Sequence, residues 1–297
     1  MVEHLDFRDQ VARNKWQSFL LIFIVFVLVI AIISVIGLAL APFDAYLILI
    51  IATIIAVIYV LISYSASEKI VLSSVKAVPA DPRTHSQLIS SVEGLSMAAG
   101  IPKPKVFVMP GNQINAFATG KNPEKGIVCV TEGALTKLSK HELEGVLAHE
   151  LSHIKHYDIR FMTLAVIMVG LIAIISQIFL RSLWFGSGNN REGGNVIFLV
   201  IGIVLAIVAP IVAMLVQLAI SRKREFMADA GAVEVTRYPE GLINALTKIK
   251  SDSGQAMKVS SAVSPLFISN PFRKKELSGL LSTHPPIEDR IKALQAM

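Results

Sequence analysis

The stretch "VLAHELSHIKHYD", Val146–Asp158, puts three histidines and a glutamate within eight residues of a chain that is otherwise greasy. Its surroundings predict a helix with a marked start. Ser139 and Glu142 make an S-x-x-E capping box, which satisfies the free amides of a first turn. Leu143, Leu147, Leu151 and Ile154 then fall at the spacing of one apolar face. His149, His153 and His156, three, four and seven residues apart, share a roughly opposite face. One side is expected to pack on a sheet, while the other lines something that wants imidazoles.

That sheet is expected just upstream. Pro82–Ala99 has helical spacing and is stopped by Gly100 and Pro102. Lys105–Met109 ("KVFVM") reads as a strand. Two further strands, Asn115–Thr119 ("NAFAT") and Ile127–Thr131 ("IVCVT"), flank the turn-rich "GKNPEKG". Cys129 lies inside the last of these, as a buried strand thiol; a lone cysteine forms no disulfide within its own chain.

Further out, the composition changes the solvent under discussion. Of 297 residues, 53% are hydrophobic and 17% charged, against about 25% charged in ordinary soluble domains. Four uncharged runs, Ser18–Phe43, Ala45–Ala66, Phe161–Leu180 and Asn195–Ile220, reach the roughly 20 residues a helix needs to span a bilayer. The first is too long for a signal-peptide core, and Pro42 after Ala39-Leu40-Ala41 opposes cleavage. The short connections hold only Arg181 and Arg191 of the 28 Lys and Arg, so the positive-inside rule places both termini in the cytoplasm. The net charge of +6 thus needs no nucleic-acid partner. The expected organisation is a transmembrane hairpin over 1–66, a cytoplasmic part with sheet and histidine helix over 67–160, a second hairpin over 161–220 and a cytoplasmic part over 221–297.

His149-Glu150-Leu151-Ser152-His153 is H-E-x-x-H on a helix. Two imidazoles one turn apart can hold one zinc ion, with Glu150 placed to act on water. A catalytic zinc takes three protein ligands and keeps a position open. The glycine and third histidine of the metzincin pattern would fall at 156 and 159, which are His156 and Ile159, so that class is excluded. After the fourth apolar run, "SRKREFMADAGA" spaces Glu225 and Asp229 one turn apart. Glu225 can complete a His–His–Glu set, and Asp229 can bond the far nitrogen of a ligand histidine. A surface pair with Arg222 or Lys223 is the plainer reading of Glu225 taken alone. An intramembrane protease would carry its motif within a span, and a transporter would carry ionisable groups there; the four runs have no Asp or Glu.

The pieces "NAFATG", "TEGAL", "LAHELSHI", "SRKREFMADAGA" and "STHPPIEDRI" stand in an order, and in a relation to four spans, that resembles the HtpX-type membrane metalloproteases of peptidase family M48, relatives of the CAAX prenyl endopeptidase Ste24. The resemblance implies a multi-pass helical protein of the cytoplasmic membrane, with four transmembrane helices and an α+β, zincin-like (gluzincin) protease domain on the cytoplasmic side. It also implies one zinc ion per chain, held by His149, His153 and Glu225, with Glu150 as the catalytic glutamate. Its substrates would be misfolded or damaged membrane proteins and unfolded polypeptides, in quality control and stress response. The oxyanion of peptide hydrolysis needs a further donor, for which His284 is the candidate, with Arg290 a turn beyond. Asn115, Ala116 and Phe117 are expected as an edge strand that pairs with the substrate backbone. His141 and Asp158 read as ordinary polar helix residues, and His156 as an imidazole near the cleft.

Overall fold

The structure, a computed structural model, describes residues 45–167, 222–252, 261–269 and 285–297, with single positions among 12–34 and 170, 202, 203, 257, 259 and 271. Of the four expected spans, the second lies within these residues; the first, third and fourth fall largely outside them. The chain divides into two compact units, one drawn from 1–15, 68–163 and 219–297, the other from 16–67 and 164–218.

Helix α1, Ala45–Ser74, is 30 residues long, about 45 Å at 1.5 Å per residue. It continues eight residues past the expected end of the apolar run at Ala66. Its Tyr46–Ser74 portion is long and apolar enough to cross a membrane. The helix closes at Lys76, whose left-handed backbone (φ 54°) lets Ala77 N–H reach back to the Leu72 carbonyl at 2.9 Å.

The catalytic-motif unit is built on a four-stranded sheet in the order β1-β2-β4-β3. Its strands are β1 Val78–Pro79, β2 Lys105–Met109, β3 Ala116–Thr119 and β4 Ile127–Thr131. β2 and β4 run parallel, with Lys105 opposite Ile127. β3 runs antiparallel to β4, with Phe117 opposite Cys129. Every residue of β3 and β4 is buried, which explains why both read as continuous apolar runs with no alternation. Helix α2, Ser86–Ala99, stops at Gly100 in the left-handed conformation (φ 70°), the expected role for that glycine. It begins four residues later than the spacing at Pro82 suggests.

After β4 come α3, Glu132–Lys137, and α4, Lys140–Lys155. The later part supplies α5, Arg222–Thr236, α6, Pro239–Ser251, and α7, Ile287–Gln295. Helix α4 sits at the centre, packed on β3 and β4 and surrounded by α2, α5 and α6, while α7 lies on α5 and α6. Leu147, Leu151 and Ile154 are wholly buried and share one core with Val128, Val130 and Leu246. Burying each such side chain is worth about 1.5–3 kcal/mol. The motif helix is thus the buried axle of the unit, covered on the histidine face as well as on the leucine face.

Candidate metal centre

The capping box at the start of α4 is formed: Ser139 N–H donates to Glu142 Oε2 at 2.7 Å, and Glu142 N–H donates to Ser139 Oγ at 3.4 Å. Two turns on, His149 and His153 stand with ring centroids 4.8 Å apart and planes at 89°. Both are almost fully buried, as is Glu150 between them in sequence. Helix α5 crosses α4 closely because Gly231 has no side chain; a Cβ there would lie 2.3 Å from Ser152 Oγ. That approach brings in two carboxylates one turn apart. Glu225 Oε1 is 3.5 Å from His153 Nε2 and its Oε2 is 3.6 Å from His149 Nε2. Asp229 Oδ1 is 2.9 Å from His149 Nδ1.

Arg290 of α7 closes this side. Its Nε donates to Asp229 Oδ2 at 2.9 Å and its Nη2 to Oδ1 at 2.6 Å, a two-pronged bond. Its Nη1 lies 3.6 Å from Glu225 Oε2. The guanidinium is 1% exposed; a charge so deeply buried is tolerable only because two carboxylates face it.

Burial opposes a charged His149 and so does Arg290, yet the bonds to Asp229 and Glu225 outweigh both and push its pKa up to about 9. His153 is shifted the same way against its burial, by Asp158 and Glu225. Burial pushes the Glu150 carboxyl above the usual carboxylate range, the two histidines only partly offsetting it. Asp229 is held below that range, because Arg290 and His149 overcome its desolvation.

Each imidazole has an acceptor-only carboxylate on Nδ1: Asp229 for His149, and Asp158, at 3.0 Å, for His153. In the neutral ring, with Nδ1–H donating, Nε2 keeps a lone pair, so a cation between the two Nε2 atoms, 3.2 Å apart, would take the place of the proton that the surrounding carboxylates otherwise favour. A carboxylate completes the triangle. Three electron-rich atoms converging in a buried place suit a cation. The spacing fits as well: the two Nε2 atoms are 3.2 Å apart, close to the roughly 3.3–3.6 Å edge of a tetrahedron with bonds of about 2.0–2.2 Å, and one oxygen of Glu225 lies 3.5 Å from His153 Nε2 while the other lies 3.6 Å from His149 Nε2. Among the described residues, His149, His153 and Glu225 form a metal-capable cluster.

The family model for "Peptidase family M48" matches residues 82–297. The chain belongs to peptidase family M48. A protein of Caldanaerobacter subterraneus subsp. tengcongensis described as "Protease HtpX homolog" is 45% identical over 254 residues, 84% of each chain. One of Listeria monocytogenes under the same description is 41% identical over 303 residues, covering 97% of this chain and 99% of its own. The crystal structure of S. mikatae Ste24p is similar at 19% identity with a TM-score of 0.49, covering 96% of this chain and 66% of that one. Membership with HtpX-type relatives makes the chain a metalloprotease, a peptide hydrolase.

Asp158 is no ordinary helix residue: it is 1% exposed and bonded to His153. Tyr157 adopts the left-handed conformation (φ 63°), which breaks α4 and turns Asp158 back beneath the ring; for a non-glycine residue this costs roughly 1–2 kcal/mol. Ala116 and Phe117 do sit on an edge strand, with Asn115 just before it, but that edge is covered by the chain itself. Ile268 N–H donates to the Ala116 carbonyl at 3.0 Å, Phe117 bridges Phe267, and Asn115 Nδ2 donates to the Ser269 carbonyl at 3.0 Å. Those groups are therefore spent internally and are not open to a substrate strand. His156 is the buried C-cap of α4, its Nδ1 3.2 Å from Ser152 Oγ. His284 lies outside the described residues. Arg290, a turn beyond it, has its guanidinium committed to Asp229.

Proposed function

We propose that the chain is a zinc-dependent endopeptidase anchored in the cytoplasmic membrane by four helices, with its termini and active site facing the cytoplasm. It would cut cytosolic loops and tails of misfolded or damaged membrane proteins, as part of membrane quality control under stress. The observation that carries the zinc reading is the convergence of two Nε2 lone pairs and the Glu225 carboxylate in a buried site. One zinc ion per chain would rest on His149, His153 and Glu225. The apolar character of α1, with the three further uncharged runs, supports the membrane reading. The hairpin–soluble–hairpin–soluble order, divided at 66, 160 and 220, follows from those runs.

A cation held there supplies Lewis acidity, polarising the scissile carbonyl and acidifying water. Glu150 does the proton work. Its raised pKa keeps it basic enough to take a proton from attacking water and acidic enough to return it to the leaving amide nitrogen. Asp229 holds the His149 imidazole in the tautomer that presents Nε2. Arg290 clamps Asp229 and adds positive charge beside Glu225. His284 remains the proposed donor to the developing oxyanion.

Metal analysis and a casein or membrane-protein cleavage assay on wild type and Glu150→Gln test the reading. The variant should keep its zinc and lose about 10²–10⁴-fold in turnover. A wild type without stoichiometric zinc, or a Glu150→Gln enzyme at full speed, would sink it. Cleavage confined to periplasmic or mid-bilayer positions would refute the cytosolic placement.

A further inference from the structure

Asp229 and Asp158 stand in matching places, one behind each histidine, yet only the first is legible as a partner of the H-E-x-x-H motif. Asp158 lies outside the motif, five residues after His153, beyond the break of α4 at Tyr157. Its Oδ2 takes the His153 Nδ1–H at 3.0 Å. Its Oδ1 faces Arg224 Nη1 at 3.8 Å. Arg224 in turn lies over the Phe161 ring, 4.9 Å from the centroid, and immediately precedes Glu225 on α5. All three side chains are at least nine-tenths buried. The pattern repeats that of His149, whose carboxylate Asp229 is backed by Arg290.

We infer that Asp158 is a positioning residue for the metal. It fixes His153 in the tautomer that offers Nε2 to the ion, and Arg224 ties it to the helix that delivers the third ligand. The role rests on the zinc reading above. It differs from a merely structural ion pair in one respect: a structural pair would stabilise the fold whether or not metal is bound, whereas a positioning carboxylate changes how tightly metal is held. The left-handed Tyr157 serves this geometry, since a helix running straight through 157 would carry Asp158 away from the ring.

The full-length protein in detergent, stripped of metal, is titrated with zinc against a competing chelator. Wild type is compared with Asp158→Ala, Asp158→Asn and Asp229→Ala, and the thermal midpoint of each metal-free protein is recorded. Asp158→Ala should bind zinc 10–100-fold more weakly, in the range found for lost outer partners of ligand histidines. Its cobalt(II)-loaded form should show an altered visible spectrum. Asp158→Asn keeps an oxygen acceptor for Nδ1–H and should hold zinc within a few-fold of wild type. The inference is overturned if Asp158→Ala keeps wild-type affinity while its metal-free midpoint falls, or if Asp158→Asn loses as much as Asp158→Ala. Should the alanine variant not fold, nitrogen-15 histidine spectra of zinc-loaded wild type decide: metal on His153 Nε2 with a protonated, carboxylate-bonded Nδ1 supports it, and metal on Nδ1 ends it. A wild type that takes no zinc fails the functional reading itself. A wild type and Asp229→Ala pair that differ, beside an indifferent Asp158→Ala, fails this inference alone.

Discussion

Along α1, Leu47, Ile50, Ile54, Ile58, Leu61 and Ile62 each keep half or more of their surface exposed. Along α4, every residue from Gly145 to Ile154 is buried, including two histidines, a glutamate and a serine. Composition alone would exchange the two placements. An apolar helix can stand bare where its solvent is lipid, as proposed for α1, and the polar helix can go inside because its polar groups meet carboxylates, a guanidinium or each other. The difference teaches that burial follows available partners rather than hydropathy: α4 is interior because of what surrounds it, and α1 can stay exterior in the proposed bilayer.

Charge insertion breaks the comparison most forcefully. Leu147→Asp places an unpartnered carboxylate in the core beside the sheet and should cost more than about 4 kcal/mol, enough to unfold the catalytic unit; limited proteolysis and circular dichroism would register the collapse. Its counterpart Ile58→Asp on α1 should cost about 2.5–3.5 kcal/mol of membrane insertion while leaving zinc binding intact. A topology reporter fused directly after α1 measures its insertion, and an unchanged reporter signal would argue that α1 is not a span.

A milder change probes the packing of α4. At Gly145 an added Cβ would meet the Leu242 amide nitrogen at 2.6 Å and the Gly241 carbonyl carbon at 2.9 Å. Helix propensity favours alanine there by about 1 kcal/mol, but overpacking against backbone costs about 1–3 kcal/mol. Gly145→Ala should therefore lower stability by about 1 kcal/mol, read as a drop in thermal midpoint; a rise would mean that α4 and α6 pack more loosely than described.

The smallest effect lies at the start of α4. Burial raises the Glu142 pKa, but the bonds from Lys248 and Ser139 overcome it and leave the carboxyl below its ordinary value. A folded pKa below the unfolded one contributes stability above the ordinary carboxylate range, and this is lost as pH falls through the folded value. Wild type should thus lose up to about 1 kcal/mol on acidification that Glu142→Gln does not lose, a partly exposed pair being worth little more. Thermal melts of both proteins across acid pH would compare the slopes.

Local chemistry was readable from the chain. Ser139 and Glu142 form their box, Gly100 takes its left-handed turn, and the three expected strands fall within a residue of their bounds, while the two-residue β1 was not foreseen. The gathering of Glu225 with His149 and His153 was also legible, since a catalytic metal leaves one ligand to find and the run 221–232 offers Glu225 with Asp229 one turn on. What depended on long-range pairing or on an unusual dihedral was not. Nothing periodic announces that Phe267 and Ile268 return to cover Ala116 and Phe117, some 150 positions earlier. Asp158 was missed because an uninterrupted helix through Tyr157 would point it elsewhere; an Asp directly after a histidine-rich helix and ahead of an apolar run was the available signal.

The centre is assembled from α4, α5 and α7, and no one of these segments carries enough of it to work. Hydrolytic competence therefore ends with whichever helix loosens first. On warming, peptide cutting should fade while most of the helical signal persists, so a damaged copy of this enzyme disarms itself before it comes apart.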